Sequence, residues 1–196
     1  MAFVLTRNSE AGLSRPRQIA YIIIIIVFSI LIYLFAGRGM RSFLVPSRSM
    51  EPTLLPNDYL LTCTEKTYSR GDVVVLIDPE DPKSYIVKRI VAVGGDTVSI
   101  DSNALILNGQ FASEPYVLEP MQYSMPNSVK VPEGEVFILG DNRNVSEDSS
   151  RWDKNSNWKQ QTLPIDTIVG RVRCIFLPPS RMQTVQRYPL VNAEGK

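Results

Sequence analysis

An uninterrupted run of uncharged residues from Ile19 to Gly37, IAYIIIIIVFSILIYLFAG, constrains this chain more than any other feature. As an α-helix this run would extend roughly 28 Å, close to the thickness of the hydrocarbon core of a bilayer. It is over-long for the apolar segment of a cleaved signal peptide, and LFAGRGM offers no suitable pair of small residues for cleavage. We therefore expect a single transmembrane anchor over 19–37, preceded by an N-terminal tail over 1–18.

Basic residues flank this run on both sides. Arg7, Arg15 and Arg17 precede it, and Arg38, Arg41 and Arg48 follow it. Cytoplasmic flanks normally carry the excess of lysine and arginine, but here the two flanks are nearly equal. Charge alone therefore leaves the orientation of the anchor open.

Composition limits what the rest of the chain can be. With 196 residues, 44% of them hydrophobic, the chain has room for one domain of ordinary size. Its net charge of +1 gives no basic field that would attract nucleic acid. The chain has no histidine, and Cys63 and Cys174 lack a metal-ligand spacing, so we expect neither a metal nor a cofactor. The two cysteines are expected to be buried free thiols, with pairing in an oxidising compartment left open.

Short β-rich runs separated by proline, glycine and asparagine follow residue 40 and predict a mainly β domain over 38–196. The candidate strands are 59–64, 72–77, 84–93, 96–100, 104–107, 135–140 and 168–177. Hairpin turns are predicted at Asn108-Gly109 and at 132–135. No segment after residue 40 has a sustained helical period. The mixed, proline-broken sequence at about 102–134 predicts a smaller irregular lobe, and 150–163 predicts a polar surface excursion.

Two serines, Ser47 and Ser49, lie in the proline-bracketed turn VPSRSMEPTL close to the apolar run. A serine hydroxyl becomes a strong nucleophile only when a neighbouring base takes its proton, and histidine is absent from this chain. Lysine can replace histidine in this role if it is neutral. Its reference pKa of about 10.4 must then be lowered by more than about two units, chiefly by removal from water.

Lys88 is the candidate for such a lysine. In the predicted strand SYIVKRIVAV, alternation assigns Ile86, Lys88, Ile90 and Ala92 to one face and Tyr85, Val87, Arg89, Val91 and Val93 to the other. Both faces are largely apolar, so Lys88 is predicted to lie among isoleucines. A different interpretation is an edge strand whose lysine keeps its amine in water and prevents aggregation.

Four segments together resemble the type I signal peptidases, the membrane-bound Ser-Lys endopeptidases that remove signal peptides, and the similarity is strongest with cyanobacterial forms. They are PSRSMEPTL, GDVVVLI, YIVKRIVAVGGD and GDNRNVSEDS. The resemblance implies a membrane anchor followed by a catalytic domain of antiparallel β-sheets with a smaller lobe and an apolar surface resting on the membrane. It also implies an N-terminus in the cytosol or stroma and a catalytic domain on the trans side of a plasma or thylakoid membrane. The implied partners are signal peptides of exported preproteins and the lipid bilayer, while the oligomeric state stays open.

The resemblance also assigns roles to individual residues. Ser49 would be the nucleophile, Lys88 the general base, Ser47 an oxyanion-hole donor and Ser146 the partner of the Lys88 amine. Arg89, Asp141 and Asp148 would be structural support. The substrate pockets for small side chains would be formed by Phe43, Val45, Met50, Leu54, Ile86 and Val87, all of which could equally be core residues.

The last motif departs from the family pattern. The family usually has a basic residue after the Asp-Ser pair, whereas this chain has Ser150 there, and the following tryptophan is succeeded by Asp153 and a polar insertion. We expect Arg151, or failing that Arg143, to neutralise Asp148. A carboxylate without a cation partner would favour the charged form of the nearby lysine.

Two other functional classes remain open at this point. A soluble Ser-Lys peptidase of the repressor-cleaving kind would share the chemistry but would lack an anchor. A degenerate, non-catalytic module that binds preproteins at the membrane would keep the fold without the activity. The run at 19–37 argues against the first, and the combination of Ser49, Lys88 and Ser146 argues against the second.

Overall fold

The computed structural model describes residues 15–36, 39–152 and 160–190. These belong to two compact units, one containing the N-terminal helix and the other beginning at Gly39. Most of the predicted tail at 1–18 and the middle of the polar excursion at 150–163 lie outside the described residues.

Helix α1 (Arg15–Ala36) covers the long apolar run. Pro16 lies in its first turn, where the missing N–H of proline leaves no intrahelical bond unmade. The isoleucines from Ile22 to Ile26 are each more than half exposed. Across the described ranges, no helix combines the length and hydropathy that crossing a membrane requires. The uncharged run predicted over 19–37 is helical up to Ala36. Gly37, its predicted end, lies outside the described residues.

The second unit is built from twelve strands whose pairings are all antiparallel among the described residues. They are β1 (Arg41–Leu44), β2 (Tyr59–Cys63), β3 (Val73–Ile77), β4 (Tyr85–Val93), β5 (Thr97–Asp101), β6 (Ala104–Leu107), β7 (Gln110–Phe111), β8 (Val129–Lys130), β9 (Glu135–Leu139), β10 (Leu163–Pro164), β11 (Ile168–Leu177) and β12 (Gln183–Thr184). The large sheet has the order β1-β2-β11-β3-β4-β9-β10, with β12 paired to β11. The small sheet has the order β7-β6-β5-β8.

The mainly β prediction is confirmed, and each of the seven predicted strands is present within one residue at either end. The five other strands, β1, β7, β8, β10 and β12, were not predicted. Each has two to four residues, too few for an alternating pattern, and forms because a longer strand offers it an edge.

One of the two predicted hairpin turns is confirmed. Asn108 and Gly109 both have positive φ, 53° and 81°, and connect β6 to β7 as an Asn-Gly turn should. The hairpin predicted at 132–135 is wrong. A turn exists there, with Glu135 N–H donating to Pro132 O at 3.2 Å, but it carries the chain from the small sheet to the large one.

The large sheet is buried on both faces at its centre. Val74 and Leu76 of β3 pack into a cluster that contains Trp152, the tryptophan cluster. Val73 and Val75 pack on the opposite face into a cluster beneath the serine turn, the serine-loop cluster. A third cluster joins the two sheets through residues such as Val98 and Phe137. Burial on both faces explains why β3 is an unbroken apolar run rather than an alternating one.

Strand β4 does not alternate regularly along its whole length. Its register against β9 shifts between Ile90 and Ala92. Ile86 and Ile90 contact the tryptophan cluster as predicted for one face, but Ala92 packs in the inter-sheet cluster and Val93 against the tryptophan cluster. The predicted faces of Ala92 and Val93 are therefore wrong, because one extra residue in a strand reverses the sides that follow it.

The two cysteines lie on neighbouring strands, Cys63 on β2 and Cys174 on β11, and both are free thiols. Each is partly exposed rather than buried as predicted. Burial and then the adjacent Cys63 raise the pKa of the Cys174 thiol. Cys174 therefore stays protonated at neutral pH.

Candidate active site

The turn that carries Ser47 and Ser49 connects β1 to β2 and is fixed at both ends by backbone hydrogen bonds. Val45 N–H donates to Asp58 O and Asn57 N–H to Val45 O, each at 2.9 Å. The Oγ atoms of Ser47 and Ser49 are 3.3 Å apart. The turn therefore presents two neighbouring hydroxyls from a rigid backbone.

The segment after β9 holds this turn in place. Asn142 donates from its backbone N–H to Ser49 O at 3.0 Å and from its side-chain amide to Arg48 O at 3.2 Å. A Cβ atom at Gly140 would lie 2.4 Å from both Ser49 O and Ser146 Oγ, so only glycine fits. Neither Gly140 nor Asn142 was among the site residues predicted from sequence. The signal available was their place directly after an apolar strand, where a glycine often marks close approach of another backbone.

Lys88 lies on β4, between β3 and β9, and is 4% exposed. The edge-strand interpretation is therefore wrong. Its Nζ donates to Ser146 Oγ at 2.9 Å, and Ser146 is itself fully buried. Burial lowers the pKa of the Lys88 amine, and the nearby carboxylates oppose this, Asp148 most and then Glu147, Asp78 and Asp141. The net direction is downward, towards the neutral amine.

Ser47, Ser49 and Lys88 line one cleft of about 590 Å³. The apolar part of the cleft lining includes Ile86, Leu118 and Val145. Ser47, Ser49 and Lys88, far apart in sequence, thus converge on one concave site with room for an extended peptide segment.

The six residues predicted to form substrate pockets divide into two groups. Only Ile86 is part of the wall of this cleft, and Val45, Met50 and Leu54 are buried in the serine-loop cluster. Phe43 and Val87 are partly buried against that cluster. Core packing is thus the observed role of five of the six, and substrate contact stays a prediction for them.

Arg89 and Asp141 form a fully buried ion pair that connects β4 to the segment after β9. Arg89 donates from Nε to Oδ1 at 2.8 Å and from Nη2 to Oδ2 at 2.7 Å, and a third donor reaches Gly71 O at 2.8 Å. Its guanidinium lies 3.9 Å from the centre of the Tyr116 ring. Thr53 Oγ1 also donates to Asp141, at 2.5 Å, so the pair reaches the serine turn.

Asp148 is fully buried and is satisfied by neutral donors rather than by a cation. It accepts from the backbone N–H of Gly140 at 3.0 Å, and from the N–H and hydroxyl of Ser150 at 3.1 and 2.7 Å. Arg151 instead donates to Asn144 O at 2.9 Å, and Arg143 forms its ion pair with Glu114. The expectation that one of these arginines pairs with Asp148 is wrong, because Ser150 and two backbone amides already satisfy the carboxylate.

Comparison with known proteins identifies the family. The family described as "Signal peptidase, peptidase S26" matches residues 17–177. A probable signal peptidase I-1 from Synechocystis is 32% identical over 90% of this chain and 89% of its own. Thylakoidal processing peptidase 1 from Arabidopsis thaliana is 37% identical over 70% of this chain and 42% of its own. A crystal structure of a signal peptidase I from Enterococcus faecalis covers 55% of this chain and 98% of its own, with 24% identity and a TM-score of 0.45.

The antiparallel sheets and the serine-lysine cleft thus belong to a peptidase. The chain is a member of the signal peptidase family, peptidase S26, and hence a hydrolase of the serine endopeptidase class.

Proposed function

We propose that this protein removes N-terminal signal peptides from exported preproteins, with Ser49 as nucleophile and Lys88 as general base. The observation that carries the proposal is a buried lysine, with its pKa lowered, in the same cleft as a serine on a rigid turn. No histidine exists to act as the base. The names of the relatives support preprotein cleavage as the activity.

The proposed reaction uses Ser49 and Lys88 in turn. The neutral Lys88 amine takes the proton of Ser49 as Ser49 Oγ attacks the carbonyl carbon of the scissile bond. The backbone N–H of Ser49 and the hydroxyl of Ser47 donate to the oxyanion. The ammonium of Lys88 then protonates the departing amine, and water, deprotonated by Lys88, hydrolyses the acyl-enzyme. Ser146, bonded to Lys88 Nζ, keeps the amine directed into the cleft.

Helix α1 is proposed to anchor the catalytic unit to a membrane, with that unit on the trans side of a plasma or thylakoid membrane. The uncharged run and the exposed isoleucines from Ile22 to Ile26 support the anchor. A thylakoidal relative supports the thylakoid as one of the two membranes.

The activity is expected to rise with pH. Only the neutral amine of Lys88 accepts the proton of Ser49, and that form is populated above its pKa, which burial lowers from the ordinary 10.5. The kcat/KM for a preprotein should therefore increase through mildly alkaline pH with one ionisation. A rising limb centred near 6.5, or one that persists unchanged in a Lys88 variant, would assign the base to another group.

Cleavage is expected to require a small residue immediately before the cut. Ile86 narrows the cleft, and Val45 and Met50 lie beneath the serine turn with little exposed surface. Phenylalanine at that position should lower kcat/KM by about 100-fold or more, because its ring would have to displace the buried side chains of Val45 or Met50.

The experiment that tests the proposal is incubation of the purified full-length protein with a preprotein, with the cut located by mass spectrometry. The matched control for phenylalanine immediately before the cut is a preprotein with phenylalanine one residue further towards its N-terminus. Cleavage of this control should be close to normal. A Ser49→Ala variant controls for contaminating peptidases. Preprotein bound but never cut would contradict the proposal and favour the non-catalytic module.

A further inference from the structure

A tyrosine of the lobe, Tyr123, contacts Ser150, the residue that follows the last motif. The segment Pro120–Tyr123 is fixed to Asn144, which donates from its side-chain amide to Pro120 O at 3.1 Å and accepts from Gln122 N–H at 2.9 Å. This brings the Tyr123 hydroxyl within 3.0 Å of Ser150 Oγ. The phenol of Tyr123 thus reaches the position where the sequence departs from the family pattern.

Ser150 connects Tyr123 to Asp148. Ser150 has one hydroxyl proton, and its 2.7 Å contact to the carboxylate takes that proton. The 3.0 Å contact must then be a hydrogen bond from the Tyr123 O–H to Ser150 Oγ. Tyr123, Ser150 and Asp148 therefore form a chain of donors that ends on a buried carboxylate, and Gly140 N–H binds the other oxygen of that carboxylate.

Several charged groups lie near the two ends of this chain of hydrogen bonds. Lys88 is faced by Asp148, Glu147, Asp78 and Asp141, and Tyr123 is faced by Asp148, Arg143 and Arg151. The guanidinium of Arg151 lies 5.0 Å from the centre of the Tyr123 ring. Burial first, and then Asp148, raise the pKa of Tyr123, so its hydroxyl keeps its proton through mildly alkaline pH. The chain of donors is therefore intact through mildly alkaline pH.

On the basis of the proposed function, we propose that Tyr123 and Ser150 are positioning residues that together replace the missing basic residue and keep the Asp148 carboxylate from turning towards Lys88. The described residues contain no ion pair between Lys88 and any carboxylate, although Asp148 has the strongest opposing influence on it. Three hydrogen bonds, one from Gly140 N–H to one oxygen and two from Ser150 to the other, hold both oxygens of the Asp148 carboxylate in place. Without Ser150, the buried carboxylate would gain most by approaching the ammonium of Lys88.

The test is the pH dependence of cleavage by full-length variants. Ser150→Ala should move the midpoint of the alkaline limb upward by about one pH unit, because a carboxylate closer to Lys88 stabilises its charged form. Tyr123→Phe should move it in the same direction by less. The double variant should move it no further than Ser150→Ala alone, since both side chains act through one hydrogen bond to Asp148.

Two control variants distinguish a specific effect on the position of Asp148 from a general loss of stability of the catalytic unit. Ser149→Ala removes a buried hydroxyl from the same loop, one that accepts from Ile138 N–H at 3.0 Å and does not bind Asp148. Tyr68→Phe removes a phenol that binds Glu65 N–H elsewhere in the unit. Both should leave the midpoint of the alkaline limb in place, whatever they do to stability.

A second measurement keeps the inference independent of activity. The ¹³Cε chemical shift of Lys88, followed against pH, should show the titration midpoint of Lys88 moving upward in both variants, by about one pH unit in Ser150→Ala and by less in Tyr123→Phe. An unshifted Lys88 titration in Tyr123→Phe, whose ring preserves the packing, would overturn the inference even if Ser150→Ala does not fold. An equal shift in Ser149→Ala would overturn it too. Absence of cleavage by the wild-type protein would instead refute the proposed function.

Discussion

Replacement of Ser49 or Lys88 by alanine is expected to abolish preprotein cleavage, with residual activity below about 1% of the wild type. The two side chains act as one unit, so the double variant should be no less active than either single variant. Lys88→Arg should be equally inactive, because a guanidinium is not deprotonated in this pH range. The measurement is the initial rate of preprotein cleavage, with circular dichroism to verify the fold of each variant.

Matched controls are available on the same chain. Ser99→Ala changes a serine of the small sheet, and Lys83→Ala changes an exposed lysine before β4. Both should retain close to full activity. Activity well above 1% in a folded Ser49→Ala or Lys88→Ala protein would refute the assignment of nucleophile or base.

Disruption of the Arg89–Asp141 pair is expected to have the largest effect on stability. Both side chains have 0% exposure, and truncation of one leaves the other as a buried, unpaired charge. Arg89→Ala or Asp141→Ala should lower the free energy of unfolding by about 3–5 kcal/mol. The loss should also reduce cleavage, because Thr53 and Gly71 take part in the same network.

The comparison is with a partly exposed pair between β11 and the residues just after β2. Arg173 pairs with Glu65, and their side chains are 42% and 27% exposed. Arg173→Ala should cost less than about 1 kcal/mol, since water replaces the lost partner. Urea unfolding of all three variants in detergent measures the difference. Similar losses for Arg89→Ala and Arg173→Ala would show that burial does not set the cost of breaking the pair.

Strand positions were predictable from sequence because burial of β3 on both faces requires an unbroken apolar run, and the other long strands carry similar local patterns. The short strands were not, because β1 and β10 exist only where a partner strand offers free backbone donors and acceptors. The bulge in β4 was also invisible, since no local pattern in IVAV marks the residue at which pairing with β9 shifts.

The candidate chemistry was predictable from the amino-acid sequence. Ser49 and Lys88 are the candidate nucleophile and base because the chain has no histidine, has a Ser47-Arg48-Ser49 turn and has a lysine among isoleucines. Their roles are part of the proposed function. The groups that surround these two side chains depend on tertiary packing and were not predictable. Gly140 is required by the approach of Ser49 O, and Asp148 is bound by Ser150 and Gly140 rather than by Arg151. Such contacts depend on which donor lies within hydrogen-bond distance of a buried acceptor. The packing of segments far apart in the chain sets that distance, and the residues adjacent in sequence do not.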